Sequence, residues 1–288
     1  MDKEHIIKDI NFNENITLPT LCIALYSGQI IFTTKKIGSR YFEDITRIES
    51  PTNSVSTIEF IILKVDEHTP KYENFDSRLI FDNYYFKLSN SSFLSVDEFF
   101  NKLKIKKISD IVSDKVLMEW QLVGIIREPV KRTLTAFIEV CDSYVGNFMN
   151  NTCSKHIFQK YFQIIIPPNT PDYNFSQLST ENINKILNEY ALNIGKDLIK
   201  DEHASGWHIF LSIFIKTYKL EDKVKIIDLD NKENMSVFPV ISQPSNKSHL
   251  DNWLLEENKF HVNTLLTSIE PFLIQESNAY TELLELKD

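Results

Sequence analysis

Glycine is scarce in this chain, six among 288 residues. A glycine set directly after a strand therefore carries more meaning than usual. The G-x-x-x-x-G-K-S/T loop of nucleotide-binding proteins does not occur. Cysteine is rare too: Cys22, Cys141 and Cys153 have no metal-ligand spacing, and an odd count argues against a disulfide framework. A reducing cytoplasm is the expected compartment. Long apolar runs are missing. The longest, Ile209–Ile215, is interrupted by Ser212 and is too short to span a bilayer. The N-terminal MDKEHIIKDINFNEN is charged and lacks the apolar centre of a signal peptide, so no membrane anchor is expected. Positive charge is also in deficit, with 31 Lys and Arg against 40 Asp and Glu, a net charge of −9. Such a surface repels nucleic acid, and any anion site has to be a local basic pocket.

Hydrophobic content of 42% and charged content of 25% are ordinary for a globular protein. The length suits one large α/β domain or two small ones, and residues 1–288 are read as one, with 1–20 a polar arm. Leu21–Tyr26 reads as a short strand before a turn at Ser27-Gly28, and Ile30–Thr33 as a buried strand. Thr57–Val65 is a second clear buried strand, with a hairpin expected through Leu79–Leu88. The capping-box spacing at Ser95 starts a helix running to about Lys106. Val116–Ile126 is expected as a further strand. Pro129 then stands at the first position of a helix reaching about Phe148, with Val130, Leu134, Phe137 and Cys141 as its apolar stripe. A helix is expected over Thr180–Lys200, then a polar loop over Asp201–His208, and an apolar segment to Tyr218 whose type periodicity leaves open. Val224–Leu229 reads as a parallel strand, and Leu250–Glu257 and His261–Leu286 as helix. Alternating strands and helices predict a mostly parallel sheet flanked by helices.

Two strand-to-helix turns carry chemistry. In IIFTTKKIGSRYF (Ile30–Phe42), a strand leads through Lys35-Lys36-Ile37-Gly38-Ser39 into a helix that Ser39 can cap. Strand, tight loop and helix N-terminus gather free backbone N–H groups and a positive dipole end, which suits a phosphate. The lysines add mobile point charge. A purely structural turn would use the same Gly and Ser. The second turn is Ile125-Ile126-Arg127-Glu128-Pro129. Arg127 leaves its strand where ligands bind in open α/β sheets, and Thr135 lies in the following helix. An arginine with a hydroxyl makes a phosphate clamp. Equally, the pair could be a surface ion pair and a threonine bonded back to its own helix.

Taken together, the two turns resemble the sulfotransferase family, whose members transfer a sulfuryl group from 3′-phosphoadenosine-5′-phosphosulfate. The family's donor loop has the form P-K-x-G-S/T-S/T. Lys36-Ile37-Gly38-Ser39 fits it, with Lys35 in place of the proline and Arg40 in place of the second hydroxyl. The later family segment R-x-P-x-x-R-x-x-S-x-Y/F is matched by Arg127, Pro129, Arg132 and Phe137, with Thr135 standing for the serine.

The resemblance implies a P-loop-NTPase-like fold and a donor that needs no metal. It implies that Lys36 neutralises the oxygen bridging the donor's phosphate and sulfate. The amides of Gly38–Arg40 with the Ser39 hydroxyl would hold the 5′-phosphate, and Arg127 with Thr135 the 3′-phosphate. The acceptor would be a hydroxyl on a small molecule or a glycan. The base that activates it is expected just after the Thr57–Val65 strand, at Glu67 or His68, with Lys64 nearby. His203 is the second candidate; its separation from His208 does not suit two zinc ligands on one helix face. Trp120, Trp207 and Trp253 could stack on a sugar or adenine, although core packing explains each. Two other readings stay open: a P-loop-type kinase, and a non-catalytic nucleotide-binding or interaction module of the same fold.

Overall fold

A computed structural model describes residues 19–39, 41–42, 58–65, 84–87, 96–145, 198, 203–236, 238 and 259–286. The strands are β1 (Leu21–Tyr26), β2 (Gln29–Thr33), β3 (Ile58–Val65), β4 (Tyr84–Lys87), β5 (Gln121–Ile126) and β6 (Val224–Asp228). The helices are α1 (Val96–Leu103), α2 (Asp114–Glu119), α3 (Pro129–Val145), α4 (Trp207–Tyr218), α5 (Lys232–Met235), α6 (Lys259–Ser268) and α7 (Glu270–Glu285). One six-stranded sheet has the order β4-β3-β1-β2-β5-β6.

β2 pairs in parallel with β5, and β5 with β6, while β1 runs antiparallel to both its neighbours and β4 antiparallel to β3. Four strands, β2, β3, β5 and β6, therefore share a direction, and β1 and β4 oppose it. The expectation of a mostly parallel sheet holds for direction. What differs is β1, which lies between two strands of the shared direction. The cause is local: Ser27 (φ 47°) and Gly28 (φ 77°) are both left-handed, as a two-residue hairpin turn requires, so the chain folds straight back on itself.

β1, β2 and β5 are buried along nearly their whole length, which is why they read as continuous apolar runs. Side chains alternate between the faces of a strand. Phe32 packs against Phe214 of α4 with ring centroids 5.3 Å apart and the rings tilted, so α4 covers that face. Tyr26 lies on the opposite face, because its separation from Ile23, the register partner of Phe32, is odd. There Tyr26, Tyr41 and Phe42 surround Phe238, with Phe42 and Phe238 edge to face at 5.2 Å. α4 is buried along Trp207–Ile215 because it lies between the sheet and α7. A helix apolar on every side has no stripe to reveal its period.

Gly124 is where α4 comes closest to β5. A Cβ there would stand 2.9 Å from Leu211 Cδ2 and 3.2 Å from Ile226 Cδ1. Gly124→Val is expected to cost about 1–3 kcal/mol through overpacking, read as a lower denaturation midpoint at unchanged slope. A variant of wild-type stability would mean that α4 does not press on this strand.

Several expectations need correction. Val116 belongs to α2, and β5 begins only at Gln121, after Trp120. The C-terminal helix is two helices that meet at Ile269, with Pro271 in the first turn of the second. In α3 the buried face carries Arg132, Thr133, Ala136 and Phe137, whereas Val130 and Leu134 are only partly buried. The stretch read as a polar loop over Asp201–His208 is buried at His203, Ser205 and His208 and already helical at Trp207. The expected helix start at Val96, Pro129 at the head of α3 and the β6 strand agree with the structure. The expected helix over Leu250–Glu257, the first half of the Leu79–Leu88 hairpin and most of Thr180–Lys200 lie outside the described residues. Among the described residues, no helix is long and apolar enough to cross a membrane.

Candidate functional site

The register that pairs Phe32 with Gly124 brings the carboxyl ends of β2 and β5 side by side. Both chemical turns therefore leave the sheet at the same edge, although they are 91 residues apart in the chain. The first is a closed loop. Ile37 N donates to Thr34 O at 3.1 Å, and the Thr33 hydroxyl donates to the carbonyl of Ile37. The Thr34 hydroxyl, also buried, ties the strand end to Thr20 O at 2.5 Å. Ile37 is fully buried and acts as the anchor, which leaves Lys35, Lys36 and Gly38 partly exposed around it.

Backbone geometry here departs from the usual regions. Lys36 has φ 62° and Gly38 φ 80°, with Ile37 between them at negative φ. Alternating hands of this kind turn successive N–H groups toward one point and form an anion-binding concavity. A helix follows at once: Phe42 N donates to Gly38 O at 3.1 Å. The amides of Gly38 and Ser39 donate to no described residue. Gly38→Ala would place a left-handed alanine at this point, with its Cβ 3.4 Å from Leu229 Cδ1. The expected loss is about 1–2 kcal/mol of stability, and any affinity of the loop for phosphate should fall further. Titration with inorganic pyrophosphate, run beside thermal melts, separates the two effects. Full retention of affinity would exclude this loop as the anion contact.

The second turn leans on the first. Arg127 Nη1 donates to the carbonyl of Lys36 at 3.3 Å. Arg132, 2% exposed, donates from Nε to the carbonyl of Lys35 at 3.4 Å and from Nη1 to the carbonyl of Ser205. Two arginines thus occupy carbonyls of the basic loop. That charge is not uncompensated: Arg127 Nε stands 3.7 Å from Asp230 Oδ1, and Lys131 Nζ 3.4 Å from Oδ2 of the same carboxylate. Glu128 is spent elsewhere, accepting from the N–H groups of Val130 at 2.9 Å and Lys131 at 2.7 Å as the cap of α3.

Behind the turn, Asp228 at the end of β6 accepts from the Tyr280 hydroxyl at 3.1 Å. Burial first, then the charge and hydrogen bond of Asp228, pushes this phenol well above the usual tyrosine range, so it stays a donor.

Of the expected site residues, the structure brings together Lys35, Lys36, Gly38, Ser39 and Arg127. Thr135 donates its hydroxyl to Lys131 O at 2.8 Å, which is the helix back-bond weighed above as its alternative. His203 is buried next to the segment that Arg132 holds. Arg40, Glu67, His68, Trp253 and the side chain of Lys64 lie outside the described residues. Trp207 is core, with Nε1 bonded to Ile125 O at 2.8 Å.

Glu276 and Tyr280 are not among the residues expected from the sequence, and His208 is weighed there only as a metal ligand. A signal for the first was present: Glu276 sits in the α7 stripe of Phe272, Leu273, Ala279 and Leu283, where a carboxylate has to be answered by something buried.

Fold and site together define a mixed α/β protein in which two basic turns meet at the carboxyl edge of neighbouring parallel strands. No family model matches the chain, and neither a curated protein nor a solved structure shows significant similarity to it.

Proposed function

We propose that this protein is a sulfotransferase that moves a sulfuryl group from 3′-phosphoadenosine-5′-phosphosulfate to a hydroxyl acceptor, a carbohydrate among the candidates. The sheet is then a variant of the P-loop-like sulfotransferase architecture, with β1 as an antiparallel insertion beside the loop strand. The observation that carries this reading is the hydrogen bond from Arg127 to the Lys36 carbonyl, which joins the two motif-bearing turns at one edge of the sheet. A donor with phosphates at both ends of its ribose needs two anion contacts at fixed separation, and adjacent parallel strands supply them.

In this reading the amides of Gly38 and Ser39 receive the 5′-phosphate. A guanidinium has five N–H donors, and Arg127 spends one on Lys36 and turns another toward Asp230, so the rest remain for a 3′-phosphate. Lys36, held at positive φ within the loop, would offer its ammonium to charge developing on a leaving oxygen. The donor, when bound, supplies the sulfuryl group itself. Glu67, His68 and His203 remain the proposed bases for the acceptor.

The test is calorimetric titration with adenosine 3′,5′-bisphosphate, paired with a transfer assay from sulfur-labelled donor onto a panel of hydroxylated acceptors. Saturable, metal-independent binding and label transfer are expected. An absence of binding would end the reading. Binding without transfer would leave a non-catalytic nucleotide module, and magnesium-dependent ATP hydrolysis would move the protein to the kinases.

A further inference from the structure

The ladder of β5 ends at Ile126, which pairs with Asp228 of β6. One residue later the backbone of Arg127 has left the sheet, yet its guanidinium has to be held where it reaches Lys36 and Asp230. The fold answers with α4. Trp207, in the first turn of that helix, donates its indole N–H to the carbonyl of Ile125 at 2.8 Å. The neighbouring His208 sets its Nε2 3.5 Å from the Arg127 amide. His208 is fully buried.

The proton of this imidazole can be placed by its partners. Nδ1 lies 2.5 Å from Glu276 Oε2 of α7. The same carboxylate, 1% exposed, also accepts from the N–H groups of His208 at 3.3 Å and Ile209 at 3.4 Å. A carboxylate that accepts from amides calls for an N–H on Nδ1, which leaves Nε2 to act as the acceptor. That acceptor faces the Arg127 N–H. The ring is further fixed edge-on against Tyr280 at 5.4 Å, whose hydroxyl is itself bonded to Asp228.

We infer that His208 is a positioning residue for the donor site, its Nε2 supplying the Arg127 amide with the partner that the ended ladder no longer gives. The C-terminal helix α7 orients it through Glu276. This inference takes the donor reading of Arg127 as its premise. It extends that reading by giving selectivity for the 3′-phosphate a buried determinant outside the ligand's reach.

The variants follow from the two ring nitrogens. His208→Asn keeps a short donor toward Glu276 and removes the acceptor facing Arg127. His208→Gln carries an amide oxygen farther out, where it can take the place of Nε2. With calorimetry on the full chain, His208→Asn is expected to bind adenosine 3′,5′-bisphosphate about tenfold more weakly, the loss of one buried hydrogen bond, while adenosine 5′-monophosphate is bound almost as in wild type. His208→Gln should recover most of the bisphosphate affinity even though it melts lower.

Equal weakening of both nucleotides, or an unchanged ratio between them, overturns the inference. Long-range 1H–15N correlation on the free wild-type protein supplies an arm that needs neither ligand nor variant. The proton is expected on Nδ1, and a proton on Nε2 refutes the link to Arg127 outright. Should wild type bind no bisphosphate, the donor reading fails by itself, and the tautomer still decides whether His208 holds the Arg127 amide.

Discussion

Arg127→Ala is expected to weaken binding of adenosine 3′,5′-bisphosphate by about 100-fold, the scale of losing charge-assisted hydrogen bonds worth about 1.5–3 kcal/mol. Adenosine 5′-monophosphate should lose far less, because the first loop does not depend on Arg127 alone. Its closure rests on Thr33 and Thr34, and Arg132 holds the neighbouring Lys35 carbonyl independently. Arg127→Lys sharpens the test. Lysine restores the charge without the planar fork, so it should recover only part of the affinity if geometry matters. Asp230 sets the ceiling on these effects: it faces both Arg127 and Lys131, and a bound phosphate has to compete with it for the same guanidinium. Raising ionic strength should therefore weaken the phosphate and the Asp230 pair together. Calorimetry with both nucleotides on wild type and the two variants checks the claim. An Arg127→Ala protein that loses the two ligands equally would reduce Arg127 to a structural brace for the loop.

How much of this was legible beforehand depends on the range of each interaction. The strand ending at Thr33, the loop with Gly38, and Pro129 at the start of α3 are local features, and local rules located them. Even the meeting of the two turns was legible as an expectation, because carboxyl ends of parallel strands share an edge. The beginning of β5 was not: LMEWQLVGII is apolar enough for either element, and periodicity cannot separate α2 from β5 in so short a run.

The buried face of α3, with Arg132 on it, was illegible for another reason. Arg132's neighbours Thr133 and Ala136 are small, and the buried face of α3 follows them, not the larger Val130 and Leu134. An arginine is buried there because carbonyls of two other segments receive it. Nothing in a single sequence shows those carbonyls. The same holds for His208 and Glu276, which meet although they stand 68 positions apart in the chain. Long-range pairs of buried polar groups are where local reading stops, and here they are also what supports the site.

Glu276→Ala carries the largest expected effect on stability. The carboxylate takes three hydrogen bonds at the head of α4, two from backbone amides and one from His208. Removing it leaves those donors buried with a methyl group in front of them, and breaking buried charge-assisted contacts of this kind costs about 3–5 kcal/mol. In a chain of this length that is a fall in Tm of roughly 10 °C. Glu282, six residues further along the same helix, is the control. It accepts from Ser212 at 2.7 Å and pairs with Lys216, yet it stays 29% exposed, so water can replace what it gives. Glu282→Ala should cost less than about 1 kcal/mol. The contrast between two glutamates of α7 that both reach α4 isolates burial as the cause, since helix, partner helix and charge are held constant. Melting curves that fall together for the two variants, or a Glu276→Ala protein as stable as wild type, would show that α4 is seated by its apolar packing on Phe32 and Gly124 alone. The tie from α7 through His208 to Arg127 would then bear no strain, and the Arg127 turn would have to be held from the Lys35–Lys36 side only.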